Sequence, residues 1–395
     1  MASDIGELKP PRRLLLGPGP SNVDPRVLKA MSTPLVGHLD PYFLQLMNET
    51  MGFLRYTFKT KNRFTLPISA TGSAGMEAAV CNLVERGDEV VVCINGLFGE
   101  RMKDVVERCG GKVTEVRADW GSVIDADDVE EALKKTDTKM VGIVHAETST
   151  GALQPLETVS KIAHEHDALF LVDAVTSLGG CELDVDKLNI DICYSGTQKC
   201  LNCPPGLAPV TLNEKAMEAV RKRRSKVQSW YLDFTLLDQY WSEERVYHHT
   251  APISMIYGLR EALRIVAEEG LEKRWARHRL ASQSLVAGVE ALGLGMWARE
   301  HRCPSLNSVK IPNGADDTKV RKTLLNDFSI EIGGGLGTLK GKIWRVGLMG
   351  LNASEHTVVT FLSALERALN REGYRVKLGD GVKAALEVYQ SRAET

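Results

Sequence analysis

Apolar runs without helical periodicity recur along the first half of the chain, at residues 88–94, 140–144 and 168–172. Such runs are typical of strands that are buried on both faces of a parallel sheet. Strand-then-helix units repeat at residues 88–109, 112–135, 140–166 and from 168 onward. This repetition predicts an α/β fold, in which a mainly parallel sheet is flanked by helices.

The pattern after residue 250 changes to long amphipathic helices and a few isolated strands. The predicted strands are 308–311 and 342–346, and the predicted helices are 256–268, 271–292, from 317 onward, 355–370 and 381–390. These elements indicate a smaller C-terminal α+β domain. Because 395 residues are too many for one small core, we expect two domains that follow an N-terminal segment. The predicted bounds are 1–22 for the N-terminal segment, 23–270 for the large domain and 271–395 for the small domain.

Two charged residues stand at the ends of two predicted strands. The run at 168–172 ends in Asp173, and a short strand at 191–194 leads through a polar turn to Lys199. Open α/β sheets bind ligands at the carboxyl ends of their strands. A lysine amine can form a Schiff base with the aldehyde of pyridoxal phosphate, and a buried carboxylate can keep the pyridine nitrogen protonated. The alternative is that Asp173 caps a turn and Lys199 lies on the surface.

A small, glycine-bearing turn opens a predicted helix at residues 69–77, which read S-A-T-G-S-A-G-M-E. A helix that begins in this way offers unpaired backbone N–H groups, and the hydroxyls of Thr71 and Ser73 on either side of Gly72 add donors. The turn is therefore a candidate anion site. It matches neither the P-loop pattern nor the G-x-G-x-x-G pattern, which disfavours ATP and NAD. Many helices begin similarly without a ligand.

Three further side chains are candidates for a site at the same sheet edge. Phe98 follows the strand at 88–94, where its ring can stack on a planar cofactor or fill the core. Thr148 belongs to the hydroxyl-rich stretch H-A-E-T-S-T-G that ends the strand at 140–144. Arg345 lies on the strand at 342–346, where its guanidinium can bind a substrate carboxylate or form a structural ion pair.

Composition limits the possible partners of the chain. Apolar residues make up 43% and charged residues 25%, close to the average for soluble globular proteins. A net charge of −2 gives no electrostatic reason to expect a nucleic-acid or membrane partner. Residues 1–11 contain no apolar stretch of the kind found in signal peptides, so we expect a cytoplasmic protein.

The cysteines and histidines do not suggest a metal site. Eight cysteines are spread through the chain, several inside apolar runs, which indicates reduced thiols. Cys200 and Cys203 form a C-x-x-C pair without a second pair at matching spacing. His248 and His249 are adjacent on a strand-like stretch and would point to opposite faces. We therefore expect no metal.

The collected motifs resemble the alanine:glyoxylate and serine:glyoxylate aminotransferases, which are class V enzymes of fold-type I that depend on pyridoxal phosphate. The resemblance covers nearly the whole chain and rests on L-L-L-G-P-G-P-S-N, V-H-A-E-T-S-T-G, L-V-D-A-V-T-S-L-G-G, Y-S-G-T-Q-K, Y-H-H-T-A-P, I-E-I-G-G-G-L-G and W-R-V-G-L-M-G. It implies pyridoxal phosphate as the cofactor and small amino acids and 2-oxo acids, such as glyoxylate and pyruvate, as substrates. It also implies a homodimer.

The resemblance assigns a role to each candidate residue. Lys199 becomes the Schiff-base lysine, Asp173 the partner of the pyridine nitrogen, and Arg345 the residue that binds the substrate carboxylate. Phe98 stacks on the ring, and Thr148 approaches the cofactor hydroxyl. The implied phosphate ligands are Thr71, Gly72, Ser73 and Gln198, with Tyr247 and Thr250 from the neighbouring subunit. Animal alanine:glyoxylate enzymes carry Trp where Phe98 stands and His where Ser73 stands.

The reaction implied by the resemblance is a transamination in two halves. Alanine or serine gives up its amino group and leaves as pyruvate or hydroxypyruvate, and glyoxylate then takes the nitrogen and becomes glycine. A serine:pyruvate-type transaminase is one alternative, and a cysteine desulfurase-like lyase of the same fold is another. Such lyases carry His before the lysine and a reactive cysteine on a mobile late loop, whereas here Gln198 precedes Lys199 and Cys303 abuts a proline. A non-catalytic module is a further alternative, which the retained lysine and acid disfavour.

Overall fold

The computed structural model describes residues 6–393. The strands are β1 (Leu14–Leu16), β2 (Phe64–Ile68), β3 (Glu89–Ile94), β4 (Lys112–Arg117), β5 (Thr138–Val144), β6 (Ala146–Glu147), β7 (Ala152–Leu153), β8 (Leu169–Asp173), β9 (Ile192–Tyr194), β10 (Ala208–Leu212), β11 (Leu306–Lys310), β12 (Ile330–Gly334) and β13 (Ile343–Gly347). The helices are α1 (Pro25–Met31), α2 (Pro41–Phe58), α3 (Gly72–Leu83), α4 (Leu97–Arg108), α5 (Ala126–Leu133), α6 (Glu157–Glu165), α7 (Glu214–Arg221), α8 (Phe234–Trp241), α9 (Ile253–Glu269), α10 (Leu271–Ala291), α11 (Asp317–Phe328), α12 (Glu355–Arg371) and α13 (Asp380–Ala393). The predicted N-terminal segment includes residues 1–5 and the predicted small domain includes residues 394–395, and these residues lie outside the described part of the chain.

A seven-stranded sheet carries the polar strand ends, in the order β2, β10, β9, β8, β5, β3, β4. The strands from β9 to β4 pair in parallel, and β10 pairs antiparallel with both β9 and β2. Every residue of β8 is buried, as its unbroken apolar run predicts for a strand that is covered on both faces. The predicted fold class, a mainly parallel sheet flanked by helices, is confirmed.

One of the predicted strand-then-helix units is wrong. Between β8 and β9 the chain runs through turns instead of a helix. Gly179 in this connection has a φ of +79°, a left-handed conformation that a helix cannot contain. The turns pack against the segment after Lys199, since a Cβ at Gly179 would lie 3.1 Å from Leu201.

A second sheet joins two distant parts of the chain. Its order is β1, β12, β13, β11, with β1 parallel to β12 and the other pairs antiparallel. Leu14 of β1 lies opposite Ile330 of β12, 316 positions away (330 minus 14). Local periodicity gives no sign of this pairing. The segment that follows β1 is thereby held between the two sheets.

Buried apolar side chains form two main clusters, one around each sheet. Phe170 of β8 belongs to the first cluster and Trp344 of β13 to the second. Helix α10 contributes to both, through Trp275 near its start and Leu285 farther along. This long helix therefore connects the packing of the two sheets.

Candidate active site

Lys199 lies in the turn that follows β9, at the carboxyl edge of the central sheet. Its side chain is 8% exposed, and its amine donates a hydrogen bond to the carbonyl oxygen of Pro18. The hydroxyl of Ser21 donates to the carbonyl oxygen of Lys199 at 2.8 Å. Residues 17–21, which we call the strap, therefore lie across the lysine and bind both its side-chain amine and its backbone carbonyl.

Asp173 ends β8 and lies in register with Tyr194 of the adjacent strand β9. Its carboxylate accepts hydrogen bonds from the backbone N–H of Val175 and from the hydroxyl of Tyr194, each at 2.8 Å. Burial raises the pKa of Asp173 to about 6, although these two bonds and the charge of Lys199 act against the rise. A cationic group in the same space would favour the ionised carboxylate.

The electrostatics of Lys199 connect three of the predicted residues. Burial lowers the pKa of Lys199 to about 8, and the positive charge of Arg345 acts in the same direction, whereas Asp173 opposes both. The charges of Asp173 and Arg345 therefore both act on the Lys199 amine, in opposite directions. An amine that is partly unprotonated near neutral pH is a nucleophile towards an aldehyde and a base towards a C–H bond.

Helix α3 begins without a side-chain cap. Thr71 occupies its N-cap position but accepts no hydrogen bond from the first turn, whereas Asp40 caps α2 by accepting from a backbone N–H. Thr71 and Ser73 are exposed, and Gly72 is buried against the Lys199 turn. The N-terminal N–H groups of α3 thus lack a side-chain acceptor, which suits a bound anion.

Gln198 has an oxygen, Oε1, that is buried and has no hydrogen-bond partner among the described residues. Buried polar atoms in native proteins are nearly always paired. A Cβ at Gly196, beside the start of α3, would lie 2.9 Å from this oxygen. Rotation of the side-chain amide by half a turn would present its N–H group instead. An unpaired amide beside an uncapped helix start fits a cofactor phosphate.

Phe98 stands in the first turn of α4, whose start is held by a buried carboxylate. Glu147 accepts hydrogen bonds from the backbone N–H groups of Phe98 at 3.1 Å and Gly99 at 3.4 Å. A negative charge is favourable at a helix N-terminus, although burial raises the pKa of Glu147. The guanidinium of Arg101 lies 4.8 Å from the centre of the Phe98 ring and donates to the hydroxyl of Ser73 at 3.3 Å. Phe98 is thus fixed next to the candidate anion site.

Thr148 and Arg345 come from different sheets and meet at the site. The hydroxyls of Thr148 and Thr176 share a hydrogen bond. The guanidinium of Arg345 donates to the carbonyl oxygens of Thr148 at 3.2 Å and Gly334 at 2.7 Å. Burial lowers the pKa of Arg345 to about 10, so it is cationic at neutral pH. Among the described residues its hydrogen-bond partners are carbonyl oxygens rather than a carboxylate, so its charge is available to an anionic ligand.

Tyr247 and Thr250 lie at the surface of the described chain. Tyr247 is 60% exposed and packs its ring against that of His38, with 5.5 Å between the ring centres. Thr250 is exposed as well. Between them, His249 shares a hydrogen bond of 2.7 Å with Ser69, just before the start of α3.

Three residues of the site are missing from the sequence-derived candidates: Glu147, Arg101 and Tyr194. Glu147 and Tyr194 lie within the motifs quoted above, but a motif does not reveal what its side chains touch. Arg101 stands three positions after Phe98, a spacing that places two side chains on the same side of a helix. This spacing is the only feature of the sequence that indicates a contact between Arg101 and Phe98.

Neither a metal centre nor a membrane span is found in the part of the chain that the structure describes. Over residues 6–393, no three His, Cys, Asp or Glu side chains converge as metal ligands would. His248 and His249 hydrogen-bond each other through Nδ1 at 2.8 Å, and Cys200 and Cys203 are buried free thiols. In the same range, no helix has both the length and the apolar character needed to cross a membrane.

Comparison with known proteins identifies the family. The model of the aminotransferase class-V family matches residues 13–355. The (S)-ureidoglycine–glyoxylate transaminase of Bacillus subtilis (strain 168) is 42% identical, over 98% of this chain and 97% of its own. The alanine–glyoxylate aminotransferase of Rattus norvegicus is 41% identical, over 91% of this chain and 88% of its own. A crystal structure of the alanine–glyoxylate aminotransferase of Nostoc sp. has a TM-score of 0.91 and 48% identity, over 93% and 97% of the two chains. The chain belongs to the class V aminotransferases, a family that depends on pyridoxal phosphate.

Proposed function

We propose that this class V aminotransferase moves the amino group of alanine or serine to glyoxylate, giving glycine and pyruvate or hydroxypyruvate. The names of the Bacillus and rat relatives support glyoxylate as the acceptor, since both contain it. The observation that carries the proposal is geometric: the buried Asp173 and the buried Lys199 stand at the ends of the adjacent strands β8 and β9. The buried guanidinium of Arg345 reaches the same region, where it donates to the carbonyl oxygen of Thr148.

The residues of the site fit pyridoxal phosphate. When bound, this cofactor supplies an aldehyde that receives the amino nitrogen and a ring that accepts electrons. Asp173 would hold the pyridine nitrogen, Phe98 would face the ring, and Thr148 would lie beside the ring hydroxyl. The unpaired amide oxygen and the uncapped helix support a phosphate site at Thr71, Gly72, Ser73 and Gln198.

Lys199 would act both as the point of attachment and as the base. Its amine would hold the aldehyde of the cofactor, and as a base it would remove the proton from the substrate Cα. A pKa lowered to about 8 keeps a useful share of the amine unprotonated near neutral pH. The strap confines the side chain, so the same amine can remove a proton and return it.

Arg345 would bind the carboxylate that the amino donor and glyoxylate have in common, because its planar fork matches a carboxylate. Gly333 packs closely between Pro18 and Arg345. A Cβ at Gly333 would lie 2.6 Å from Cδ of Pro18 and 3.5 Å from Nη2 of Arg345. A side chain larger than that of glycine would therefore not fit at position 333. Small substrates such as glyoxylate, pyruvate, alanine and serine are supported by the names of the relatives, which contain glyoxylate and alanine.

A second copy of the chain would complete each site. Tyr247 and Thr250 are exposed, and in a homodimer they would reach the phosphate in the neighbouring subunit. Large exposed apolar side chains nearby support burial of this surface: Trp230, Tyr231 and Val246. On the sequence alone, we further propose that the enzyme is cytoplasmic.

Two alternatives are addressed by specific observations. Ureidoglycine is a second candidate donor, because a relative that covers 98% of this chain is named for it. The desulfurase-like lyase is disfavoured, because the thiol of Cys303 is 1% exposed and packs 3.8 Å from Sγ of Cys181. A thiol in that position is not presented to a substrate.

Half-reaction spectra test the proposal. The purified protein with pyridoxal phosphate should lose its visible absorption band when alanine or serine is added, and glyoxylate should restore the band. Equal restoration by pyruvate would favour the serine:pyruvate type, a stronger response to ureidoglycine would favour that donor, and sulfide release from cysteine would favour the lyase. A protein that stays colourless with pyridoxal phosphate would contradict the whole assignment.

A further inference from the structure

Asn202 lies three residues after Lys199 and has no role in the site described so far. Its backbone N–H donates to the carbonyl oxygen of Lys199 at 3.1 Å and closes the turn that carries the lysine. Its φ is +53°, a left-handed conformation that Asn adopts more readily than most residues. Since the side chain is 5% exposed, its amide must find partners within the protein.

The amide nitrogen of Asn202 faces acceptors from two distant parts of the chain. It donates to Oγ of Ser21 at 3.0 Å and to the carbonyl oxygens of Asn22 at 2.9 Å and Met349 at 3.2 Å. Ser21 ends the strap that covers Lys199. Met349 follows β13, the strand that carries Arg345.

The amide oxygen of Asn202 faces donors. It accepts from the backbone N–H of Leu351 at 2.7 Å and from Nη2 of Arg274 at 3.2 Å. A Cβ at Gly350 would overlap this oxygen, so the close approach requires glycine there. Because acceptors surround one end of the amide and donors the other, the side chain has a single satisfied orientation.

We propose that Asn202 is a positioning residue that fixes the Lys199 amine relative to the Arg345 guanidinium. It ties the Lys199 turn to the strap and to the end of β13 at the same time, so the base and the carboxylate-binding group are held at a constant distance. A displacement of about 1 Å between reacting groups can lower a rate about 100-fold. The inference rests on the proposed function for the roles of Lys199 and Arg345, whereas the ties themselves are structural.

The variant Asn202→Gly tests the ties, because glycine accepts the left-handed backbone and removes only the amide. Asn189→Gly is the matched control, since Asn189 has a φ of +49° and is exposed beside His164. In the holoprotein, we expect Asn202→Gly to speed hydrogen–deuterium exchange at residues 14–22 and 349–353 about tenfold or more. We also expect kcat to fall by about tenfold or more, with smaller changes in KM. Asn189→Gly should change neither property.

The variant Asn202→Asp keeps the shape of the side chain and places a carboxylate oxygen against three acceptors. It should resemble Asn202→Gly in both measurements, and it replaces that variant if the glycine protein cannot be purified. Wild-type behaviour of Asn202→Asp would overturn the proposal. So would faster exchange without a fall in kcat, or a fall in kcat without faster exchange. Because exchange is measured without substrate, a protein with intact ties but no transamination would count against the proposed function instead.

Discussion

Tyr194 donates its phenolic proton to Oδ2 of Asp173 at 2.8 Å, from the residue in direct register on the adjacent strand. Both side chains are buried, and burial raises the pKa of each. The hydrogen bond acts in the opposite direction on Asp173, because a donor stabilises its ionised form. The phenol thus keeps its proton and supports the negative charge that the proposed pyridine nitrogen requires.

The variant Tyr194→Phe should therefore raise the pKa of Asp173 and shift the acidic limb of the kcat/KM profile to higher pH. A hydrogen bond to a charged acceptor contributes about 1.5–3 kcal/mol, so we expect a rate loss of about tenfold at neutral pH. The measurement is a pH–rate profile of the holoenzyme. Tyr257→Phe is the control, since Tyr257 is buried against Phe43 away from Asp173. An acidic limb at the wild-type pH in Tyr194→Phe would contradict this role.

The lowered pKa of Lys199 makes the stability of the apoprotein depend on pH. The unfolded lysine takes up a proton below its ordinary pKa of 10.5, and the folded lysine only below about 8. Between these two values the unfolded chain binds a proton that the folded chain does not bind, so the free energy of unfolding rises with pH. The contribution of Lys199 to this free energy is therefore largest above pH 10.5 and is lost as the pH falls to about 8. Relative to Lys199→Met, the apoprotein should lose roughly 3 kcal/mol of unfolding free energy over that range. Denaturant unfolding of both apoproteins measures the difference. A difference that does not change between pH 8 and pH 10.5 would show that burial does not lower the pKa of Lys199.

The variant Arg345→Ala should weaken the binding of amino and oxo acids alike. A charge-assisted hydrogen bond contributes about 1.5–3 kcal/mol, so KM for donor and acceptor should each rise about tenfold to a hundredfold. Steady-state kinetics with alanine and glyoxylate measure both constants. Arg371→Ala, which breaks an exposed ion pair with Asp327, is the control and should leave them unchanged. Michaelis constants of wild-type size in Arg345→Ala would rule out the carboxylate role.

The variant Arg101→Gln should bind pyridoxal phosphate more weakly. Arg101 places its charge beside the hydroxyl of Ser73 and over the ring of Phe98, so the loss of this charge removes a favourable field at the candidate anion site. We expect Kd to rise about tenfold, measured by titration of the apoprotein. Arg108→Gln, in the last turn of the same helix and paired with Asp104, is the control. An equal Kd in the two variants would contradict a contribution of Arg101.

Subunit mixing tests the proposed dimer. Lys199→Ala should be inactive while its fold persists, and a Tyr247→Ala, Thr250→Ala double variant should bind the cofactor poorly. In a hybrid of the two, one site combines Lys199 of one subunit with Tyr247 and Thr250 of the other. Random mixing should therefore restore about a quarter of the wild-type activity. No recovery in a mixture that contains hybrid dimers would place all ligands of a site in one chain.

Local sequence was sufficient for much of the central sheet and for the edge at which the site lies. The apolar run of β8 is followed by Asp173, and Phe98 and Lys199 follow β3 and β9 of the same sheet. Thr148 follows β5 of that sheet through the short strand β6. Parallel strands bring their carboxyl ends to one edge, so a prediction of the strands also predicts that these side chains converge. The connection after β8 was predicted wrongly, because the sequence does not reveal that Gly179 adopts a left-handed conformation there.

Only the tertiary structure decided which side chains meet across that edge. By itself, the sequence determined the strands, their buried faces and the polar residues at their ends, because hydrophobic periodicity is a local property. The sequence alone did not predict the pairing of β1 with β12 or the hydrogen bond between Tyr194 and Asp173. Nor did it predict that Asn202 connects the Lys199 turn, the strap and the segment after β13. Such partners are brought together by the crossing of distant segments and the packing of two sheets, and no periodic pattern along the chain encodes those distances.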